Sequence, residues 1–473
     1  MKQIIILLML ISVVDVHGEG LTFSHARELM YNNNREIKVA REAVEIAQME
    51  LRATRGLRFP VLNLTSGYIL MQRDIDVDLG GRKGAINNIA QSFIKEGITT
   101  GMLTPNIAEL INAGISPLLA ADWSFTLQKR STLIGGISLT QPIYMGGKIN
   151  AAIRACEIRL HQAEYQLQAI ENSKLSELVE LYYGVIVAQM AHNLRITAVN
   201  GISSHLSDTR ALEEEGMIAH SEVLYVEYKL AEAKREKEAS ENQLRIARSA
   251  LSRLINCDND AELVDRLFIV ETLQPIDYYK EKAISINPIL LSAKENISLS
   301  IQGEKVAQSE LLPEVAALGT TTIFSHNLST MVPRWSVGIG VNLKLFDGLG
   351  KERRYVAAQK MTEMVRSIVN DAEQGVILLV DREYYNAINS LNTITTLDRS
   401  IEFAASYLQA KKDGFTEGIT PSAEVIDAQL QLEAAHLERC NTAYSFCKSL
   451  ARLLEVSGLS NRFDEYRNIA IFI

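Results

Sequence analysis

The chain has 473 residues, of which 47% are hydrophobic and 22% are charged, and its formal net charge is −9. Only nine residues are proline, which favours long uninterrupted helices because proline breaks a helix interior. The acidic balance argues against a general nucleic-acid binder, since such proteins neutralise phosphates with clustered Lys and Arg. We therefore expect a mostly α-helical protein with no nucleic-acid partner.

The N-terminus has the pattern of a secretory signal peptide. Lys2 precedes a mostly apolar run from Ile4 to Val14, and Val16 and Gly18 lie at −3 and −1 of a cleavage site after residue 18. The alternative, a membrane anchor, is disfavoured because this run is too short to span about 30 Å of hydrocarbon. No later stretch is long and apolar enough for a membrane helix. Any membrane-embedded part of the mature chain should therefore consist of strands.

The chain contains two copies of one pattern. The segment around Gly216 matches the segment around Gly418, at an offset of 418 − 216 = 202 residues. Upstream, Asn34 matches Asn287 at an offset of 287 − 34 = 253. The first copy therefore carries an insertion, which we place at residues 69–131.

Each copy is predicted to contain a helix, two strands, and a long helical hairpin with a tight turn. Pro60 and its counterpart Pro313 end the first helix, and Gly146, Gly147 and Gly348 follow the second strand. These five residues mark the junctions between strands and helices.

The lengths of these elements are unusual. In the first copy a helix is predicted from about Ser24 to Arg58, with strands at residues 61–72 and 132–144. The first helix of each hairpin has roughly 65 residues, from about 351 to 413 in the second copy, and would span about 100 Å.

Strands of about 11 residues can cross a bilayer at a tilt. Because four strands leave two open edges, which lipid does not tolerate, membrane strands would have to share a barrel with other copies of the chain.

The last helix carries a coiled-coil seam with a 3.5-residue period. Eight of its nine positions are apolar or Cys, and the exception is Glu433; the positions are Ile426, Leu430, Glu433, Leu437, Cys440, Tyr444, Cys447, Ala451 and Leu454. Cys440 and Cys447 would lie roughly 10 Å apart on one helix, which is too far for a disulfide. The pairing of Cys156 and Cys257 stays open.

No pattern typical of an enzyme is present. The His residues show no zinc spacing, and no Cys-x-x-Cys or Gly-x-Ser-x-Gly motif occurs. The glycines at 338 and 340 open a strand instead of leading from a strand into a helix, which argues against a dinucleotide site. We predict no catalysis, no cofactor and no metal.

Three segments resemble the TolC-like outer membrane efflux proteins. Residues 141–147 (QPIYMGG) resemble the family's exit from strand to helix, and residues 345–348 (LFDG) resemble its second-copy form. Residues 417–429 (EGITPSAEVIDAQ) look like the family's periplasmic turn. The likeness extends over about residues 21–457.

The resemblance implies a homotrimer whose duplicated units form a 12-stranded β-barrel in outer membrane lipid, continued by a long α-helical coiled-coil tunnel in the periplasm. Such channels dock onto a periplasmic membrane fusion (adaptor) protein and an inner-membrane pump. They are passive ducts for efflux of small molecules or for type I secretion of proteins. A periplasmic coiled-coil adaptor or scaffold without a barrel is the alternative function, but adaptors carry one hairpin and no duplicated unit.

The resemblance also implies a division of the chain. It would consist of a signal peptide, a first repeat with an extracellular insertion, an equatorial segment, a second repeat and a C-terminal tail: residues 1–18, 19–256 with insertion 69–131, 257–279, 280–457 and 458–473.

By the family pattern, four residues form a gate at the periplasmic end of the lumen. Glu424 and Asp427 match two acidic residues that line the constriction, and their spacing places them on one helix face. Glu222 is the first-copy counterpart of Glu424. Phe415 matches an aromatic gate contact, without the hydroxyl of the usual Tyr. The alternative for the two acids is an ordinary role at a helix N-terminus, where the macrodipole favours them.

The turns themselves supply three more candidates. Gly216 and Gly418 are predicted to adopt positive φ, as glycines that end helices do. Pro421 is predicted in the first turn of the following helix, where its missing N–H costs nothing. These three residues are the expected contacts of the adaptor.

Overall fold

The computed structural model describes residues 20–257 and 262–473. The predicted signal peptide and residues 258–261 of the predicted equatorial segment lie outside the described residues. The described chain is mostly helical with a small amount of sheet, as predicted. It divides into two compact units, each of which combines residues of both repeats.

The described residues contain eleven α-helices. They are α1 (Phe23–Asn33), α2 (Arg35–Arg55), α3 (Lys83–Thr99), α4 (Pro105–Ala120), α5 (Lys148–Glu214), α6 (His220–Ile255), α7 (Ile276–Ile286), α8 (Pro288–Ser309), α9 (Gly350–Thr416), α10 (Ser422–Val456) and α11 (Phe463–Asn468). Among the same residues there are eight strands. They are β1 (Val61–Leu70), β2 (Ile75–Asp78), β3 (Ser124–Gln128), β4 (Ser131–Met145), β5 (Phe268–Ile269), β6 (Glu314–His326), β7 (Trp335–Asn342) and β8 (Ile471–Phe472).

The two long hairpins have nearly the same dimensions. Helices α5 and α9 each have 67 residues, and their partners α6 and α10 have 36 and 35. The prediction of one very long helix in each copy is therefore confirmed. No helix among the described residues combines the length and the apolar character needed to cross a membrane.

The first helix differs from its prediction. It begins with Thr22 as N-cap instead of Ser24, and the Thr22 hydroxyl accepts a hydrogen bond from the backbone N–H of His25. Asn34 then adopts an extended backbone and divides the predicted helix into α1 and α2. Its side-chain oxygen accepts hydrogen bonds from two backbone N–H groups at the start of α2, so the break is a capped helix start. Asn287 separates α7 from α8 in the same way.

The larger unit comprises residues 20–52, 154–304 and 357–473, apart from the four that are not described. Its core is a cluster of interlocking aromatic rings, which includes Phe23, Tyr182, Tyr183, Phe268 and Phe463. All five residues are buried, and their ring centroids lie 5.3 to 5.8 Å apart in these contacts. Strand β5 pairs with β8 beside this cluster, so the chain after α10 packs back onto the core.

None of the nine seam positions of α10 is exposed. Cys440 and Leu454 pack in this core, whereas Ile426 packs in a second cluster with Ile202 and Val226.

Cys440 and Cys447 are buried thiols, and neither Cys156 nor Cys257 takes part in a disulfide in the described chain. Burial raises the pKa of the Cys447 thiol to about 12, so this residue is an inert part of the packing.

The smaller unit, residues 53–153 and 305–356, contains the sheet. Its four antiparallel strands lie in the order β1-β4-β6-β7. The predicted first strand ends two residues early, at Leu70, and the predicted second strand is one residue longer at each end. Strands β1 and β7 are the two edges of this sheet.

The predicted insertion forms a small structure of its own. Strands β2 and β3 pair as an antiparallel ribbon. Helices α3 and α4 lie between these two strands in the sequence.

Candidate functional site

The two hairpin turns have the same backbone structure. Gly216 and Gly418 have φ angles of 74° and 75°, so the predicted positive φ is confirmed. The N–H of Gly216 donates to the carbonyl oxygen of Glu213 at 2.8 Å, and the N–H of Gly418 donates to that of Phe415 at 3.0 Å. Both glycines therefore end their helices with equivalent hydrogen bonds.

Pro421 lies one position earlier than predicted. It is the N-cap of α10, with an extended backbone (ψ 154°), and the helix begins at Ser422. Its carbonyl oxygen accepts the backbone N–H of Glu424 at 3.1 Å, as an N-cap carbonyl does. Ala219 has the same role before α6. In both repeats this turn residue keeps an extended backbone, and the helix begins at the next residue.

Glu424 is paired within its own chain. Its Oε2 accepts a hydrogen bond from Nζ of Lys411, on α9, at 2.6 Å. The hydrogen bond to Glu424 raises the pKa of Lys411. About half of the Glu424 side chain is exposed, so it remains accessible, but the lysine partly balances its charge.

Asp427 is exposed one turn further along α10. Within the ranges 20–257 and 262–473, its side chain forms no hydrogen bond or ion pair. Of the two acids predicted at the gate, Asp427 is thus the one whose charge is not balanced by a neighbour.

Glu222 joins the two hairpins. It lies in the first turn of α6, and its Oε2 accepts the backbone N–H of Ser422, at the start of α10, at 3.2 Å. The positive, N-terminal end of the α10 dipole also stabilises a carboxylate at this position. Glu222 is therefore placed as a cap on the other hairpin.

Phe415 is buried and packs against His205 of α5. The two ring centroids are 4.5 Å apart at an interplanar angle of 60°. Burial is the main reason that the pKa of His205 lies below its ordinary value. No motif in the sequence pointed to His205.

A cleft of about 340 Å³ lies between the two turns. It is lined by residues of both turns, including Glu222, Phe415, Gly418 and Pro421. The structure thus brings four of the seven predicted residues of this region to one cleft. The other three, Gly216, Glu424 and Asp427, do not line it. We call this region, residues 205–222 and 411–427, the tip.

An ion-pair network, of which only Glu433 is buried, links the hairpins above the tip. Arg195 of α5 contacts Glu236 of α6 at 2.8 Å and Glu433 of α10 at 2.6 Å. Burial raises the pKa of Glu433, and Arg195 opposes that effect. Glu433 is the polar exception in the seam, and the period of the seam did not reveal its partner.

The strand–helix junctions have the backbone that their sequence indicates. Pro60 and Pro313 immediately precede β1 and β6. Gly146, Gly147 and Gly348 have φ angles of 61°, 88° and 74°. These values favour glycine at all three positions.

Gly146 is also required by space. A Cβ on this residue would lie 2.6 Å from the carbonyl oxygen of Ser309, a contact that only a backbone shift could relieve. At the second junction, Oδ1 of Asp347 accepts the N–H of Gly350 at 2.8 Å and so caps α9.

Metal ligands do not converge in the described parts of the chain. No group of three or more His, Cys, Asp or Glu side chains there could hold a metal ion. The tip offers carboxylates, an aromatic contact and two accessible turns, which suit a gate and a docking surface.

Comparison with known proteins assigns a family to this arrangement. The family model for "Outer membrane efflux protein" matches residues 103–256 and 280–459, more than half of the chain. Outer membrane protein TolC of Vibrio cholerae is 25% identical over 354 residues, which cover 70% of this chain and 78% of that protein. The alkaline protease secretion protein AprF of Pseudomonas aeruginosa is 23% identical over 304 residues, covering 61% of this chain and 62% of AprF. The solved structure of the Campylobacter jejuni CmeC outer membrane channel has the same fold, with a TM-score of 0.70 at 14% identity, covering 93% of this chain and 86% of CmeC.

Proposed function

Because the chain belongs to the outer membrane efflux protein family, we propose that three copies of it form one passive duct across the outer membrane and the periplasm. The family is one of outer membrane channels for efflux and secretion. The chain is therefore an outer membrane transport protein and not an enzyme, as the sequence predicted. A periplasmic adaptor or scaffold is disfavoured by the same match.

The membrane part of the duct is proposed to be a 12-stranded barrel, to which each copy contributes its sheet. The edges β1 and β7 are unpaired in one chain, and unpaired edges are costly in lipid. Exposed apolar side chains alternate along β7, as on the lipid face of a barrel: Trp335, Val337, Ile339 and Val341. Joining β7 of one copy to β1 of the next closes the sheet.

The periplasmic part is proposed to be a tunnel built from the four long helices of each copy. Its narrow end would lie at the tip, where a threefold axis makes each acidic residue a ring of three. Asp427 would carry most of the negative field of this end, because Lys411 pairs with Glu424. Carboxylate rings attract cations, so this end should select for positive charge.

The turns are proposed to contact a periplasmic adaptor, through which an inner-membrane pump supplies energy. Met217 and Ile419, which follow the two turn glycines, are largely exposed. Apolar side chains exposed at matching positions of both repeats suit a helical partner. We also propose that the chain divides into two repeats, 19–256 and 280–457, an equatorial segment, 257–279, and a tail, 458–473. Insertion 69–131 is proposed to lie outside the cell.

The single observation that carries the proposal is the family match across both long hairpins. Membrane fractionation and gel migration with and without heating test it. We expect the protein in the outer membrane fraction, as a trimer that separates on heating and conducts in planar bilayers. Recovery as a soluble periplasmic monomer would contradict it.

A further inference from the structure

His205 and Phe415 form a contact between the two hairpins at the tip. His205 belongs to α5 and is 6% exposed, and Phe415 belongs to α9 and is 5% exposed. Their ring centroids are only 4.5 Å apart. The imidazole therefore covers the aromatic ring at the predicted gate position and holds it between the helices.

The polar atoms of His205 suit the neutral form of the ring. Its Nε2 is buried and has no hydrogen-bond partner among the described residues. The charged side chains that act on the ring are Asp208 of its own helix, Glu222 of α6 and Lys412 of α9. The two carboxylates favour a charged imidazole, whereas Lys412 and burial disfavour it, and burial has the largest effect.

We propose that His205 is a positioning residue for Phe415, and that protonation of its imidazole releases Phe415 and loosens the contact between the hairpins. The proposal rests on the proposed function of the tip as the narrow end of the duct. The pH of the periplasm would then control the opening of this end, in addition to any partner that acts there.

The physical reason lies in the buried nitrogen. A protonated imidazole has two N–H donors, and a donor at Nε2 would be buried without an acceptor, which costs the desolvation of that group. The charged ring would relieve this cost by turning toward water or toward the carboxylates of Asp208 and Glu222. Phe415 would then lose the surface that covers it.

The direction of the pH effect follows from the lowered pKa. The neutral imidazole of His205 stabilises the closed tip. This stabilisation is complete at pH values above the ordinary pKa of histidine, about 6.5. This stabilisation is lost as the pH falls through the lowered pKa. The ratio of open to closed tips should therefore rise by up to about tenfold per pH unit between that ordinary value and the lowered pKa, and level off below it.

Single-channel recording on the full-length protein in planar bilayers, between pH 7.5 and pH 5.0, tests the proposal. We expect the open fraction of the wild type to rise on acidification. In His205→Gln, which cannot gain a proton, the rise should be lost. His220→Gln is the matched control, because His220 is an exposed histidine at the same tip, paired with Glu213, and its removal should leave the rise intact.

The outcomes separate the two proposals. A wild type that conducts with no response to acid, or that closes in acid, overturns the role of His205, and so does an unchanged rise in His205→Gln. A wild type that forms no channel contradicts the proposed function instead. If His205→Gln fails to assemble, Phe415→Leu provides the test: it should raise the open fraction at pH 7.5 and reduce the response to acid, and an unchanged pH profile overturns the proposal.

Discussion

The side-chain amide of Asn34 donates a hydrogen bond to the carbonyl oxygen of Leu254 at 3.0 Å, and so joins the start of α2 to the last turn of α6. Asn287 donates the equivalent bond to the carbonyl oxygen of Val456 at 2.6 Å. The two acceptors are 456 − 254 = 202 residues apart, which is the offset between the hairpins. The duplication is thus preserved in single hydrogen bonds.

We predict that Asn34→Ala destabilises the protein by about 1–3 kcal/mol, because it removes a helix cap and leaves a buried carbonyl unpaired. Asn287→Ala should cost a similar amount, since its bonds are equivalent. Thermal unfolding of the detergent-solubilised protein measures both. Asn32→Ala, at an exposed position of α1, is the control and should unfold like the wild type.

Replacing the acids of the tip should weaken the block of conductance by multivalent cations. We expect Asp427→Ala to have a larger effect than Glu424→Ala, because Lys411 already balances Glu424. Conversely, Lys411→Met should strengthen the block by leaving Glu424 unpaired. Titration of the single-channel current with a trivalent cation measures all three variants. An unchanged block in the Asp427→Ala, Glu424→Ala double variant would show that these carboxylates do not face the lumen.

Loss of Glu222 should favour the open tip. Glu222→Ala removes the carboxylate that accepts the N–H of Ser422 from the other hairpin, a charge-assisted bond of about 1.5–3 kcal/mol. We expect a higher open fraction in planar bilayers at pH 7.5. Glu238→Ala, an exposed position further along α6, is the control. An identical open fraction in both variants would contradict the role of Glu222 as a link.

The network above the tip should be sensitive to the loss of its cation. Arg195→Met leaves Glu433 buried without its partner, a change that typically costs about 3–5 kcal/mol. The double variant Arg195→Met, Glu433→Leu removes both charges and should recover most of the stability. Thermal unfolding distinguishes the two, and a double variant as unstable as the single one would contradict this account.

The same network predicts a pH dependence for Arg195→Met. Burial raises the pKa of Glu433 in the folded protein, so the neutral carboxyl is favoured by folding. Its contribution is complete below the unfolded pKa and is lost as the pH rises through the folded value. The variant should therefore unfold at a higher temperature near pH 5 than near pH 7.5, relative to the wild type. The double variant, which lacks the carboxyl, should not show this relative gain.

Features with a local signal were predictable from the sequence. The long helices were predicted from sustained periodicity without proline, and the turns from glycines that need positive φ. The duplication was recognised because the segments around Gly216 and Gly418 match. The break at Asn34 was missed although its match to Asn287 was recognised, because an Asn within an apolar period resembles a tolerated helix residue until its side chain is seen to cap the next helix.

The sequence by itself determined the fold class, the repeated hairpins and the positions of the turns, because each depends on interactions between residues close together in the chain. Only the tertiary structure decided the partners at the tip and just above it: Lys411 for Glu424, Ser422 for Glu222, His205 for Phe415 and, above the tip, Arg195 for Glu433. Three of these four pairs join residues about 200 or more positions apart, on separate hairpins. Such pairs depend on how the helices pack side by side, and the period of one helix identifies the face that packs but not the side chain that meets it.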